Sequence, residues 1–200
     1  MTIMSKYLSG SQEYIRWLRK SLDLDTLASK MKNRIVNRGA VYYCHFGINI
    51  GSEQEEYRPC VVLQHRNGNI ASPNTIVAPI THTKSTLGTV VQIAPQKDSN
   101  GKVVLDGYAL LSNIVTVSKA RLGDFITDLT KKEMDDIDAA LAQSIDLAWK
   151  FDKLKRIIED KDNHIVSLKR IIDEKDKEIA RLLSLQQNLK PGSADSTSEE

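Results

Sequence analysis

The stretch YRPCVVLQHRNGNIASPNTIVAPIT, residues 57–81, holds two runs rich in β-branched residues, RPCVVLQH (58–65) and NTIVAPIT (74–81), either side of Arg66-Asn67-Gly68-Asn69. Branched side chains suit a pleated, half-buried surface, and Gly and Asn supply turn backbone, so the segment reads as strand, turn, strand. The same texture extends outward: AVYYCHF (40–46) precedes it, and GTVVQIA (88–94), KVVL (102–105) and YALLSNIVTV (108–117) follow. Gly47 to Gly51, Asp98-Ser99-Asn100-Gly101 and Asp106-Gly107 carry the remaining turn chemistry, with Asn100-Gly101 the clearest hairpin. Roughly five to seven short strands between residues 37 and 129, with no helix among them, predict a small antiparallel barrel.

Helical spacing flanks this core. Tyr14, Ile15, Leu18 and Leu22, then Leu24, Leu27, Met31 and Ile35, predict two short amphipathic helices, with Asp23 or Asp25 capping the second. Such helices either pack on the following domain or form a partner-binding or regulatory arm. Thr130 followed by Glu133 is a capping-box signature, and Met134, Ile137, Leu141, Ile145 and Ala148 then recur at helical spacing. No Gly or Pro stands between Gly123 and Pro191, so one unbroken helix to about Leu189 is expected. From Leu147 onward Phe151, Ile158, Ile165, Ile172, Ile179 and Gln186 fall at one heptad position, and Leu154, Lys161, Leu168, Lys175 and Leu182 at the other. Ile at a with Leu at d favours a parallel two-stranded coiled coil, whereas Ile157 and Ile171 widen the apolar stripe and leave a higher-order or antiparallel bundle open. The expected organisation is α+β: a helical arm (1–36), a barrel with its helix (37–146), a coiled coil (147–190) and a disordered polar tail, PGSADSTSEE (191–200).

Composition narrows the function. The chain of 200 residues is 40% hydrophobic and 27% charged with a net charge of +2, too mild for a nucleic-acid binder by composition alone. The charge is uneven: residues 1–36 hold seven basic against three acidic residues, residues 37–144 ten against eleven. No apolar run is long enough to cross a membrane and the N-terminus lacks a signal-peptide core, so a cytoplasmic protein is expected. Cys44 and Cys60 lie inside apolar runs without CxxC spacing and are expected to be buried free thiols. There is no P-loop, nucleophile elbow, carboxylate pair or metal-ligand cluster, and hence no expected cofactor or metal.

Four signals remain: Gly51-Ser52-Glu53-Gln54, Tyr57-Arg58-Pro59, Gly68-Asn69, and Ile76-Val77-Ala78-Pro79-Ile80-Thr81. Together with Arg38-Gly39, Val41-Tyr42-Tyr43 and the stretch Leu111 to Leu122, they resemble the MazF/PemK family of toxin endoribonucleases over residues 38–147. The resemblance implies an SH3-like (PemK/CcdB-like) barrel, usually dimeric, that cleaves single-stranded RNA without a metal: the ribose 2'-hydroxyl attacks the adjacent phosphate, leaving a 2',3'-cyclic phosphate and a 5'-hydroxyl. It implies catalysis by Arg58 and Thr81, with Glu53 also implicated; Glu53, or His82 beside Thr81, is the expected proton acceptor. It further implies RNA contacts at Ser52, Gln54, Gln64 and Asn113. The implied partners are RNA and a cognate antitoxin, with DNA contact by a toxin–antitoxin complex compatible.

A guanidinium suits this chemistry because its forked donors match phosphate oxygens, while its high pKa makes it a poor base. Arg58 is therefore expected to stabilise the transition state. The chain departs from the family pattern at Ala40, where Asp is common, at His65, where Asn is common, and at Asn113-Ile114-Val115 and Ser118, where an Arg and an Asp are common. These departures support an alternative, an inactive barrel serving as a coiled-coil-assembled nucleic-acid or protein-binding module. His45 and His65 are expected to be ordinary strand or loop histidines.

Overall fold

The computed structural model describes residues 3–188; the tail expected at 191–200 lies outside the described residues. The chain divides into two units, residues 1–148 and 149–200.

The first unit is built on seven antiparallel strands: β1 (Ala40–Gly47), β2 (Glu56–Val62), β3 (Asn74–Thr81), β4 (Val90–Lys97), β5 (Val103–Leu110), β6 (Val115–Ser118) and β7 (Leu122–Asp128). Their order is β4-β5-β3-β2-β1-β7, and the side of β3 away from β2 is shared, β6 taking its first half and β5 its last two residues. The expected barrel is thus a curled half-barrel with β4 and β7 at its ends. Alternation along β1, β2 and β3 feeds two cores. One face buries Val41, Val61, Ala78 and Ile80 with Ile137 and Met134 of α3 (Lys131–Ser144); the other buries Tyr42, Cys44, Cys60, Val62, Val77 and Val117. Cys44 and Cys60 are buried free thiols, and a hydrogen bond with Cys44, with burial, pushes the Cys60 thiol well up, which keeps it unreactive.

Within the half-barrel, three sequence expectations are corrected. First, Arg66-Asn67-Gly68-Asn69 is a short helix, α2 (Arg66–Ala71), capped by His65, whose Nδ1 accepts from Asn67 N at 3.3 Å. Its Asn69 is buried and acts as a hub: Nδ2 donates to Gln64 O at 2.9 Å, Oδ1 accepts from Thr75 Oγ1 at 2.7 Å, and its carbonyl accepts from the buried Lys119 ammonium. Second, Asp106-Gly107 is not a turn but the middle of β5. Gly107 takes φ +124°, and a Cβ there would overlap the Thr81 carbonyl oxygen and sit 3.1 Å from its carbonyl carbon. The glycine is needed for close approach of two strands, which has the same composition as a turn. Third, strand β7, LGDFITD, was not among the expected runs; it pairs with β1 at one end of the half-barrel, and its burial does not alternate regularly. The Asn100-Gly101 hairpin is present, with Gly101 at φ +79° and Asp98 N donating to Lys102 O at 2.9 Å.

The arm is one helix, α1 (Ile3–Met31), not two. Asp23 and Asp25 do not interrupt it because neither Pro nor an unfavourable Gly falls between Leu18 and Met31. It packs on the half-barrel: Leu24 is buried, and Trp17 fills the space over Gly47, where a Cβ would meet its ring at 2.6 Å. Beyond its end, Arg34 donates to the carbonyls of Leu122 and Gly123 and covers the Tyr42 ring at 5.0 Å. Of the two expected apolar runs, Tyr14, Ile15, Leu18 and Leu22 of the first are exposed, whereas Leu24 of the second is buried.

The helix begun at Thr130 ends sooner than expected. Asp146 takes φ +56°, Asp146 N donates to Gln143 O at 3.2 Å and Leu147 N to Ala142 O at 2.7 Å, a Schellman closure with Asp in the left-handed position where Gly is usual. A separate helix, α4 (Ala148–Asn188), follows. The start of α3 matches the sequence reading. Thr130 N donates to Glu133 Oε2 at 2.9 Å, Glu133 N to Thr130 Oγ1 at 3.3 Å, and Ala94 N of β4 to Glu133 Oε1 at 3.1 Å. Burial raises the Glu133 pKa, but the Thr130 and Ala94 hydrogen bonds outweigh it, and the net shift is downward. A carboxylate lowered on folding stabilises the fold above its unfolded value of 4.5 and loses that contribution as pH falls through the folded value. Glu133→Gln is therefore expected to lower the melting temperature at pH 7 but to lose little between pH 5 and pH 3, where the parent loses more; melting scans across pH check it.

Candidate active site

The site forms where β1 turns into β2. The pairing of His45 with Tyr57 and Gly47 with Glu56 breaks register, and the loop between them swings out from the sheet. Asn49 ties it down: its Nδ2 donates to Gln54 O at 2.6 Å and its backbone N to Glu55 Oε2 at 3.4 Å. Glu56, at the loop's end, is held at φ +68°, an uncommon conformation for a residue with a Cβ. The loop thereby presents Ser52 to solvent and aims Glu53 and Gln54 into a cavity of about 700 Å³.

Arg58 stands two residues further on, half-buried. Its Nε donates to Glu55 O at 2.6 Å and its Nη1 to Gln54 Oε1. Both acceptors are neutral carbonyls, and none of the ion pairs among the described residues involves Arg58. The guanidinium is oriented by the loop without being neutralised by it, and its Nη2 is left for an anion.

Thr81 is the last residue of β3. The β2–β3 ladder ends at Cys60 with Pro79, so Arg58 and Thr81 each lie two residues beyond its last pair, and Thr81 pairs with Tyr108 of β5. Thr81 Oγ1 accepts from Thr83 N at 3.3 Å, and its carbonyl rests against Gly107.

Of the residues singled out in the sequence, the fold thus gathers Glu53, Gln54 and Asn113 around one cavity, with Arg58 bonded to its wall through Gln54. Glu53 Oε2 accepts from Ile50 N at 3.3 Å. Gln64 is not brought to this cavity. It lies beyond the far end of β2, roughly 20 Å along the strand from Arg58, and its amide packs against Gly68 of α2. His82 is not aimed at the cavity either: its Nδ1 pairs with Asp106 Oδ1 at 3.2 Å. His45 stacks on Tyr57 with ring centroids 4.2 Å apart, and burial together with Lys20 and Arg121 lowers its pKa.

Val115 lines the cavity, and one guanidinium reaches it directly. Arg121, on the 3-10 turn Lys119–Arg121, donates through Nη1 to the carbonyls of His45 and Phe46, both at 3.0 Å, and lies over the Trp17 ring at 5.2 Å. Sequence reasoning missed it. The only signal was its position among the few basic residues between Leu111 and Asp128, and the carbonyl cradle that aims it exists only once β1 and the turn meet. Among the described residues, no group of three or more His, Cys, Asp or Glu side chains is placed to hold a metal ion. No described helix is long and apolar enough to cross a membrane.

Comparison with known proteins fits this geometry. Residues 37–145 match the family described as PemK-like, MazF-like toxin of type II toxin-antitoxin system. The chain belongs to this family of toxins. It is 41% identical over 115 residues to endoribonuclease EndoA of Bacillus subtilis (strain 168), an alignment covering 56% of this chain and 97% of that protein. Over 115 residues it is 37% identical to endoribonuclease MazF of Staphylococcus epidermidis, covering 56% of this chain and 93% of that one. A solved endoribonuclease from mycobacterial species aligns with a TM-score of 0.48 at 27% identity, over 58% of this chain and 96% of that structure. In this MazF-like chain, α1 and all of α4 lie outside the family match.

Proposed function

We propose that this MazF-like toxin is an endoribonuclease that cleaves single-stranded RNA by attack of a ribose 2'-hydroxyl on the adjacent phosphate. The observation that carries the reading is Arg58: a guanidinium oriented by two carbonyls, paired to no carboxylate, beside a cavity that Glu53 enters. In the reaction charge builds on the non-bridging phosphate oxygens, and oriented donors that need no reorganisation are worth most there. Arg58 Nη2 stabilises that charge, Thr81 donates its hydroxyl to the same phosphate, Glu53 accepts the 2'-hydroxyl proton, and the phosphorus–5'-oxygen bond breaks with water supplying the proton of the new 5'-hydroxyl. Ser52, Gln54 and Asn113 hold the strand along the cavity, and Gln64 has no role at this end of the sheet.

Arg121 supplies the second positive charge that the cavity lacks at Val115. Arg121→Ala is expected to raise KM for RNA about tenfold with a smaller effect on kcat, and to flatten the salt dependence of binding, because a phosphate contact contributes binding energy and counterion release. Titration of a labelled RNA at several salt concentrations reads both quantities.

The partners proposed are RNA, a cognate antitoxin, as the family description implies, and further copies of the chain through the half-barrel and through α4. An RNA substrate places its action in the cytoplasm. The direct test is to incubate purified protein with RNA and map the termini. A 2',3'-cyclic phosphate and a 5'-hydroxyl, formed equally with and without EDTA, are expected; 5'-phosphate ends, or loss of activity in EDTA, would sink the mechanism. Val115 in the cavity wall favours a second reading, a binding module without catalysis, for which RNA is retained but never cut.

A further inference from the structure

Helix α4 is continuous over Ala148–Asn188 and buries none of its residues within the chain. Phe151, Ile158, Ile165, Ile172 and Ile179 at a, with Leu154, Leu168 and Leu182 at d, are all about half exposed. A 41-residue helix with such a stripe needs a partner helix, and the charges beside the stripe specify which one. The e positions read Lys155, Asp162, Lys169, Asp176, and the g positions Ile157, His164, Ile171, Glu178. The ion pairs within α4 are Arg170–Glu174 and Glu178–Arg181, so none of the four e charges takes part in them.

We infer that α4 pairs with α4 of a second copy in antiparallel orientation and in one register. This rests on the reading that the chain self-associates through α4 and adds direction and register to it. In a parallel pair, Lys161 would meet the partner's Lys161 and Lys175 the partner's Lys175 inside the seam. The flanking g-to-e contacts would be Ile157 with the partner's Asp162, His164 with the partner's Lys169, and Ile171 with the partner's Asp176, none of them of opposite charge. In an antiparallel pair a packs level with d and e faces e. Setting Ile165 level with the partner's Leu168 places Ile158 with the partner's Lys175, Ile172 with the partner's Lys161, and Phe151 with the partner's Leu182. No lysine then meets a lysine. Along the e edge, Lys155 faces the partner's Asp176 and Asp162 the partner's Lys169, and two-fold symmetry repeats both, so every e charge is matched.

Sliding by one heptad destroys the match in either direction. One slip sets Asp162 against the partner's Asp162 and Lys155 against the partner's Lys169; the other sets Lys169 against the partner's Lys169 and Asp162 against the partner's Asp176. The alternation that favours one register thus repels its neighbours, which is how charged edges select register and orientation. The internal repeat LKRIIEDKDNHI and LKRIIDEKDKEI (residues 154–165 and 168–179) generates this alternation and is compatible with two-fold pairing.

The test uses the full chain. Ser184 is exposed and lies on the side of α4 away from the seam; Ser184→Cys carries a nitroxide label, and the parent, whose two cysteines are buried, serves as the blank. Antiparallel pairing sets residue 184 level with the partner's Trp149, so the two labels lie about 50 Å apart along the axis at 1.5 Å per residue. A label separation near 20 Å overturns the orientation. Charge exchange tests the register: Lys155→Asp and Asp176→Lys are each expected to weaken association about tenfold, and the double variant to restore it. Single variants that weaken association without rescue in the double variant overturn the register. The full chain carrying both Ile165→Asp and Ile172→Asp reports on the underlying reading: if its sedimentation equals the parent's, α4 is not an association surface and the inference falls with it.

Discussion

Arg58→Ala is expected to lower RNA cleavage by at least about 10²-fold, and by 10³-fold if the guanidinium contributes like other oriented oxyanion donors, a barrier increase of about 3–4 kcal/mol. The loss should appear in kcat, because the charge that Arg58 meets is greatest in the transition state. Folding should be nearly unaffected: the side chain is half-buried and its acceptors, Gln54 Oε1 and Glu55 O, lie at a solvent-facing cavity where water replaces it. Arg58→Lys should recover little, since an ammonium cannot hold Glu55 O and Gln54 Oε1 and still present a planar fork to phosphate. Single-turnover cleavage, with melting curves alongside, separates the two effects. Cleavage within threefold of the parent would remove Arg58 from the mechanism. Thr81→Ala is expected to fall in the same direction by a smaller factor, because one neutral hydroxyl is lost rather than a charge.

The second large effect is structural. Gly107→Ala should destabilise the first unit by about 3 kcal/mol or more, since two penalties coincide: a backbone at φ +124°, which L side chains rarely adopt, and a methyl group overlapping the Thr81 carbonyl oxygen. Neither can relax cheaply. The obstructing atom is backbone, and Thr81 is paired with Tyr108 on the same strand as Gly107. Any folded population should also cut RNA poorly, because moving β5 away displaces the end of β3 that carries Thr81. A useful contrast is Gly101→Ala at the β4–β5 hairpin, where φ is +79° but nothing lies within 4 Å of a Cβ. It should cost only the backbone penalty, about 1 kcal/mol, and leave cleavage intact. Melting temperatures of the two variants check the pair; equal losses would show that the crowding at Thr81 does not matter.

The strands β1 to β4, the Asn100-Gly101 hairpin and the capping box of α3 were legible in the residues, because each rests on a local rule: period-two burial, a turn that requires glycine, an N-cap matched to Glu three residues on. So was the α+β class, since β-branched runs and helical heptads separate cleanly along the chain. The motif residues Glu53, Gln54, Arg58 and Thr81 were also legible, as a pattern in order.

Other features depended on contacts between segments distant in sequence. Asp106-Gly107 has turn composition, and only the neighbouring Thr81 makes it a strand crossing. Ile145-Asp146-Leu147 has no breaking residue, yet the N–H groups of Asp146 and Leu147 fold back onto the carbonyls of Gln143 and Ala142 in a Schellman closure, with Asp in the left-handed region. Both apolar runs of α1 had helical period, and the fit of Trp17 over Gly47 with burial of Leu24 decided which face meets the half-barrel, leaving Tyr14, Ile15, Leu18 and Leu22 exposed. At the site, the family resemblance implied an RNA contact at Gln64, while strand geometry puts it at the far end of β2, away from the cavity, and Arg121 entered through the carbonyls of β1. The sequence alone determined the α+β class, most of the strands and the start of α3, since propensity and periodicity act within a few residues; the tertiary structure decided where the helices break and which side chains share the cavity, because that depends on register and close approach between segments far apart in the chain.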